Sequence, residues 1–504
     1  MEKDLNFLLF IILFINNIFP NEKQLYSTVQ MSDQVMVIEL STLQVNQSVA
    51  TEFGDNQGMH GCMEYSMEIE CNMTVGCEWT MGMCEDSQTD SCMNYGMEME
   101  CNMDPDCDWT MGMCMESMNS DVMNTPHFIV LDETNGYWFV TTIVSGFVAQ
   151  FSLLDNTFID AYFVGDAPAL LAVDPLHKII YCSRMMPMNG MGNMMPSGES
   201  NMIQALNYSP MGLSEVDGGE YAISSPAPHG ITISDDGTEL YTASNTADWL
   251  YKIDTQTGDI QGVALDSQVG NAPDQTTQRL KPIQCLYKDN KLFVTCSAGL
   301  WYNPYTGHEI VIPGQVQMWN ANNMELLDSI DLGEYTAPWH IKNSPVENVV
   351  YVALNGDNLY ETEGLACIRY EDNTLSLEWM TNNSNFDSLH GIDVSSDGSK
   401  IYVSGRGDGN IHVFNDQGEY VDNIFLGSMT MLGGIAVEQK GAPSLGDLNN
   451  DSLFNIFDIV ICIETVLSSM MMIDPYIQYA GDVYQDNIIN ISDILLIVDF
   501  IMSS

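Results

Sequence analysis

The chain has 504 residues, enough for two or three domains, and 45% of them are apolar, enough for a large core. Its 69 Asp and Glu against 14 Lys and Arg give a formal net charge of −55. That balance excludes nucleic acid as a partner, because nothing in the chain could neutralise phosphates; it suits a soluble extracellular protein or one that gathers cations.

Residues 5–19, LNFLLFIILFINNIF, are apolar but too short to span a bilayer. Behind Lys3 at the N-terminus they read as the h-region of a secretory signal, so residues 1–20 are expected to be removed before Lys23. No other stretch reads as a membrane span, and the expected location is secreted or at the cell surface. Lys23–Val49 then alternates like the second, third and fourth strands of a four-stranded sheet whose first strand is missing.

Residues 54–123 hold eight of the 13 cysteines in two copies of C-x8-C-x5-C-x6-C, 30 residues apart. The first copy uses Cys62, Cys71, Cys77 and Cys84, the second Cys92, Cys101, Cys107 and Cys114. In a secreted chain such a unit replaces a core with two disulfides. Three pairings per unit are open. The unit resembles the small plexin–semaphorin–integrin type of module. Zinc is disfavoured by the absence of C-x2-C pairs. The other five, Cys182, Cys285, Cys296, Cys367 and Cys462, lie in apolar segments, where most are expected as buried free thiols.

From 126 to 440 a pattern recurs, as in APHGITISDDGTELYTAS (227–244) and SLHGIDVSSDGSKIYVSG (388–405). Each of these two gives a strand, an Asp-Gly turn and a second strand, followed by a further hairpin, and further first strands open at PHFIVLD, PALLAVD, PIQCLYK and PWHIKN. Six internal copies at this period predict β-propeller blades. Gly433–Gln439, GGIAVEQ, is a first strand with nothing after it, and joining it to Lys23–Val49 makes a seventh blade and closes the ring. On the PHG…DG…IYVS repeat, 23–53 and 126–440 resemble the YVTN-repeat and lactonase-like seven-bladed propellers. The resemblance implies the fold; such propellers host both enzymes and binding surfaces.

One rim should collect the unusual segments. Arg184–Pro196, RMMPMNGMGNMMP, has six methionines in thirteen residues. They offer either soft ligands for Cu(I) or flexible packing against the Cys-rich insertion. His127, His229, His390 and, one position later, His340 open first strands and are candidate rim ligands. In Gly299–Gly314, Trp301, Tyr302 and Tyr305 are candidates for stacking on sugars. Arg406-Gly407-Asp408 reads as a plain hairpin turn.

The last segment, 445–504, carries two copies of an oxygen-rich loop and an amphipathic helix. Asp447, Asn449, Asp451, Asn455 and Asp458 stand at loop positions 1, 3, 5, 9 and 12, and Asp482, Asp486, Asn490 and Asp493 at 1, 5, 9 and 12. With the backbone carbonyls of Leu453 and Ile488 at position 7, this spacing wraps calcium twice. Tyr484 at position 3 should weaken the second site. The pattern resembles a type I dockerin, which implies a cohesin-like partner.

The expectation is a mainly β protein: a seven-bladed propeller, a disulfide-rich insertion and a small α-helical calcium module. It would act as an extracellular binding or scaffold component docked to a cohesin on a cell surface or polysaccharide-degrading assembly, with a protein or carbohydrate ligand on the rim. The alternative is an enzyme at the rim, either a lactonase-like hydrolase or a copper oxidoreductase.

Overall fold

Strands that alternate in hydrophobicity and break at turns such as Asn135-Gly136, Asp236-Gly237 and Asp397-Gly398 build seven four-stranded antiparallel sheets in the computed structural model. The structure describes residues 23–51, 77–80, 83–86, 107–110, 113–116, 124–165, 167–185, 200–266, 272–275, 277–439, 445–449, 454–467, 475–484 and 488–503. The innermost strands are Pro126–Asp132, Pro168–Asp174, Pro228–Ile233, Pro282–Lys288, Pro338–Asn343, Leu389–Val394 and Leu432–Val437, in blades 1 to 7. Each packs on the next, and the last packs on the first. The protein is a seven-bladed β-propeller.

The seventh blade is closed by the two ends of this region. Gln24–Val29 pairs antiparallel with Leu432–Val437 (Leu25 opposite Val437, Ser27 opposite Ile435), and Gln34–Glu39 and Gln44–Ala50 complete the sheet. Closure leaves no open edge between first and last blades. A buried cluster of Tyr26, Val37, Trp138, Phe151 and Ala436 bridges the seam. Trp138 stacks on Phe151 with ring centroids 3.9 Å apart.

The glycines that follow His229 and His390 are required by close approach. A Cβ on Gly230 would meet the Cys285 amide nitrogen at 2.7 Å, and one on Gly391 the Gly433 carbonyl at 2.4 Å. Neighbouring innermost strands touch there, backbone to backbone.

The Cys-rich insertion forms a two-stranded hairpin in each copy, Cys77–Thr80 with Met83–Asp86 and Cys107–Thr110 with Met113–Glu116. The register is identical, Trp79 facing Cys84 and Trp109 facing Cys114. Cys62, Cys71, Cys92 and Cys101 lie outside the described residues. Cys182, Cys285, Cys296, Cys367 and Cys462 are buried and free.

Near the C-terminus, α1 (Ile456–Leu467) and α3 (Ile491–Ser503) pack together, with a short α2 (Pro475–Gly481) between them in sequence. Leu448, Cys462, Ala480, Val483, Ile489 and Ile497 form their core. The sequence pattern announces α1 and α3 but not α2. Among the described residues no helix is long and apolar enough to cross a membrane.

Candidate functional site: the channel mouth

Two rings of residues form the mouth of the central channel, and both arise from one repeated backbone device. Each innermost strand is entered through a non-glycine residue in the left-handed region: Thr125, Ala167, Ala227, Lys281, Ala337, Ser388 and Met431, with φ between 45° and 58°. Such φ values are uncommon without glycine. Here each carbonyl is used, accepting the N–H of the residue after the second strand. The bonds run from Ile143 to Thr125, Met185 to Ala167, Asn245 to Ala227, Ser297 to Lys281, Asn355 to Ala337, Arg406 to Ser388 and Gln30 to Met431, at 2.9 to 3.3 Å.

The first ring is the second residue of each innermost strand: His127, Ala169, His229, Ile283, Trp339, His390 and Gly433. The second ring is the set of donors just given. Five residues of each ring line a cavity of about 410 Å³. Trp339 takes the ring place in blade 5; His340, one residue on, lines a second cavity of about 350 Å³ that runs along the channel.

Hydroxyls staple the first ring. Thr28, Thr141, Ser183, Thr295 and Ser404 on second strands donate to the carbonyls of His127, Ala169, His229, Trp339 and Gly433 on the next blade, at 2.6 to 3.3 Å. Blades 3 and 5 have Ala243 and Ala353 at that position. In blade 3, His229 Nδ1–H donates to Ile283 O at 2.6 Å and satisfies the carbonyl that the missing hydroxyl would have met. In blade 5, Asn355 Nδ2 donates to Leu389 O at 3.3 Å, as Asn245 Nδ2 does to Pro282 O at 3.1 Å.

The four candidate histidines therefore differ. His229 staples a join. His127 Nδ1 accepts from Gln30 Nε2 at 2.8 Å. His340 Nε2 and His390 Nδ1 are buried with no partner, and each residue is only 2% exposed. The His390 ring lies 4.6 Å from that of His340 and 5.4 Å from that of His127. Burial, then the neighbouring His229 and Arg406, hold His127 down at about 3. Burial also lowers His229, His340 and His390. All four imidazoles are neutral near pH 7. Among the described residues no group of three or more His, Cys, Asp or Glu is placed to hold a metal ion. Met186–Pro196 of the methionine loop lies outside the described residues; Met185 lines the mouth.

Arg406 was read in the sequence only as part of a turn. Its Nη1 is buried and unpartnered at the mouth, alongside Trp339 Nε1. Asp408 does close the turn, meeting His412 Nε2 at 3.0 Å and accepting from Asn410 N at 2.8 Å. The available signal was a basic residue, rare in this chain, at the position of Asn245 and Asn355 in the repeat.

The aromatic loop is a hairpin, Gly299–Asn303 with His308–Ile312. Trp301 is 6% exposed and donates to Thr277 O at 2.9 Å, so it packs inward and offers no face to a sugar. Tyr302 and Tyr305 are exposed.

In the C-terminal loops the position-12 carboxylates act alike. Asp458 accepts from Leu448 N and Asn455 N at 2.9 and 2.8 Å, and Asp493 accepts from Tyr484 N and Asn490 N at 2.8 Å each. Asn455 and Asn490 likewise cap the N–H groups of Phe457 and Ser492. Asp447, Asp458, Asp482 and Asp493 are all buried. Asn449 and Ile488 are described; Asp451, Leu453 and Asp486 lie outside the described residues.

No protein-family model and no curated protein matches the chain. Solved structures do. Hydrazine synthase from Kuenenia stuttgartiensis is 12% identical over 64% of this chain and 97% of its own, with a TM-score of 0.47. A candidate 6-phosphogluconolactonase from Bacteroides fragilis is 13% identical over 65% and 91%, at 0.45. Virginiamycin B lyase from Staphylococcus aureus is 14% identical over 63% and 90%, at 0.44. What this chain has in common with them is at most the propeller fold, and no activity passes to it from them.

Proposed function

We propose that the protein is a secreted extracellular binding component, whose propeller presents the channel mouth to a ligand and whose residues 445–504 dock through calcium to a cohesin-like partner. The observation that carries this reading is the burial of Asp447, Asp458, Asp482 and Asp493 in a segment that contains no Lys, Arg or His. Burying a carboxylate costs several kcal/mol unless a countercharge and hydrogen bonds compensate it. The backbone N–H groups supply hydrogen bonds, but the segment supplies no cation. The donors are all oxygen, which suits a hard cation. Calcium would be held by Asp447, Asn449, Asp451, Leu453 O, Asn455 and Asp458, and by Asp482, Asp486, Ile488 O, Asn490 and Asp493. It would place positive charge among these carboxylates and couple metal binding to folding of the module.

The partner surface has the same twofold repetition. Ile456 and Val460 on α1 and their counterparts Ile491 and Leu495 on α3 are exposed. Contiguous exposed apolar groups mark interaction sites. The cohesin would sit on a cell surface or a polysaccharide-degrading assembly. Disulfides within each Cys-rich repeat complete the secreted reading. The test is capture of the full-length protein by a panel of immobilised cohesins, with calcium and after chelation. Capture that needs calcium and is lost in Ile456→Asp/Ile491→Asp supports the reading; no capture by any member, or capture indifferent to chelation, rejects it.

A further inference from the structure

In a chain with 69 acidic side chains, no Asp or Glu among the described residues lines the cavity of the channel mouth, and Arg406 is the one cation among the described residues that does. Arg406 has no acidic partner among the described residues, and burial is the sole influence on its basicity, lowering it. The other cavity of the channel is different in kind. Lys342 there meets Asp393 at 2.9 Å, so its charge is compensated.

Three buried polar atoms of the mouth lack partners: Arg406 Nη1, Trp339 Nε1 and His390 Nδ1. Buried donors are costly when unpaired, so such a set marks a place completed by something else. Acceptors are present as well. Asn245 and Asn355 spend their amide nitrogens on Pro282 O and Leu389 O, which leaves their side-chain oxygens as acceptors. The cavity, about 410 Å³, falls in the range used for small organic molecules, roughly 300–1,000 Å³.

We propose that the mouth binds a small hydroxylated carboxylate, with the carboxylate on the Arg406 guanidinium and the Trp339 indole N–H, and hydroxyls on the oxygens of Asn245 and Asn355. A guanidinium fork matches a planar carboxylate. A single charge favours a monoanion: a phosphate dianion would call for a second cation, and the ring histidines are neutral. The proposal rests on reading the propeller as a binding body, and it is independent of the calcium module.

The test uses the full-length, calcium-loaded protein in chloride-free buffer, with titration calorimetry. The probes are D-glucuronate, D-gluconate and L-lactate, with D-glucose and inorganic phosphate as controls. At least one carboxylate should bind more tightly than both controls. Arg406→Gln should weaken that carboxylate roughly 100-fold, and Trp339→Phe, which keeps an aromatic ring but loses the indole N–H, roughly tenfold. A structural role for Arg406 would lower the melting temperature; here Arg406→Gln should leave it unchanged or raise it, because an unpaired buried charge is removed. No carboxylate binding, phosphate or glucose binding as tightly, or a fully retained affinity in Arg406→Gln would each overturn the proposal. Cohesin capture by Arg406→Gln should be unchanged, so this inference can fail while the docking reading stands.

Discussion

Glu438 sits where the propeller closes, just after the last innermost strand, and is 2% exposed. Its carboxyl accepts from Gln24 N at 3.0 Å and from Tyr26 Oη at 3.1 Å, both on the N-terminal strand. Burial pushes it from 4.5 up to about 7; the charge of Glu133 adds to this, while Lys23 and the two hydrogen bonds oppose it. Between those two values the folded carboxyl keeps a proton that the unfolded chain has lost. A folded-state pKa above the unfolded one means stability is full below about pH 4.5 and falls as pH rises through about 7. The loss over that window is about 3 kcal/mol. Glu438→Gln mimics the neutral carboxyl and should remove this slope. Urea unfolding in saturating calcium, followed by tryptophan fluorescence across the window, should show equal stabilities near pH 4.5. Near pH 8 the variant should lead by about 3 kcal/mol. A difference that does not vary with pH, or a variant that is less stable at high pH, would refute this account of the seam.

The ring histidines have the opposite sign. His127 is held at about 3, so its contribution to stability is present above about 6.5 and is lost as pH falls from there towards about 3; acid titration of His127→Gln against the parent should show a shallower loss in the variant. Because burial lowers these imidazoles and leaves them neutral near pH 7, carboxylate affinity at the mouth should be flat from about pH 6.5 to about 8, by calorimetry, and a steep rise on acidification across that range would contradict it. Thiol titration of the unfolded, unreduced protein should give five free thiols, since eight of the 13 cysteines are proposed as paired; 13 would reject the disulfides. Ser404→Ala removes the hydroxyl that meets Gly433 O at 2.7 Å and Gly391 N at 2.8 Å beside the closing blade, and should destabilise by about 1–3 kcal/mol in urea.

The propeller was legible because the internal blades repeat two short apolar strands joined by a polar turn, and because Lys23–Val49 lacked a first strand that Gly433–Gln439 could supply. Register across blades was not legible. That is why His229 could not be seen as the substitute for a hydroxyl absent at Ala243: the two are separated in sequence and meet only on paired strands, and the carbonyl that His229 satisfies belongs to the next blade. Arg406 was hidden for a different reason. Arg406-Gly407-Asp408 does form a hairpin turn, but the backbone bond from Arg406 N to Ser388 O sets this residue in the ring with Asn245 and Asn355. Trp301 looked available because its neighbours Tyr302 and Tyr305 are polar-tipped and exposed, yet strand alternation turns it inward. The two oxygen-rich loops were legible as spacing, and the structure adds that Asp447, Asp458, Asp482 and Asp493 are buried.

Calcium titration calorimetry on the full-length protein, stripped with a chelator and then dialysed, tests the docking account most directly. We expect two calcium ions per chain, the tighter one lost in Asp447→Ala and the weaker one, with Tyr484 at its third position, lost in Asp482→Ala, each with a gain of helical circular dichroism as metal is added. Absence of calcium heats, or equal affinities unaltered by either substitution, would contradict it.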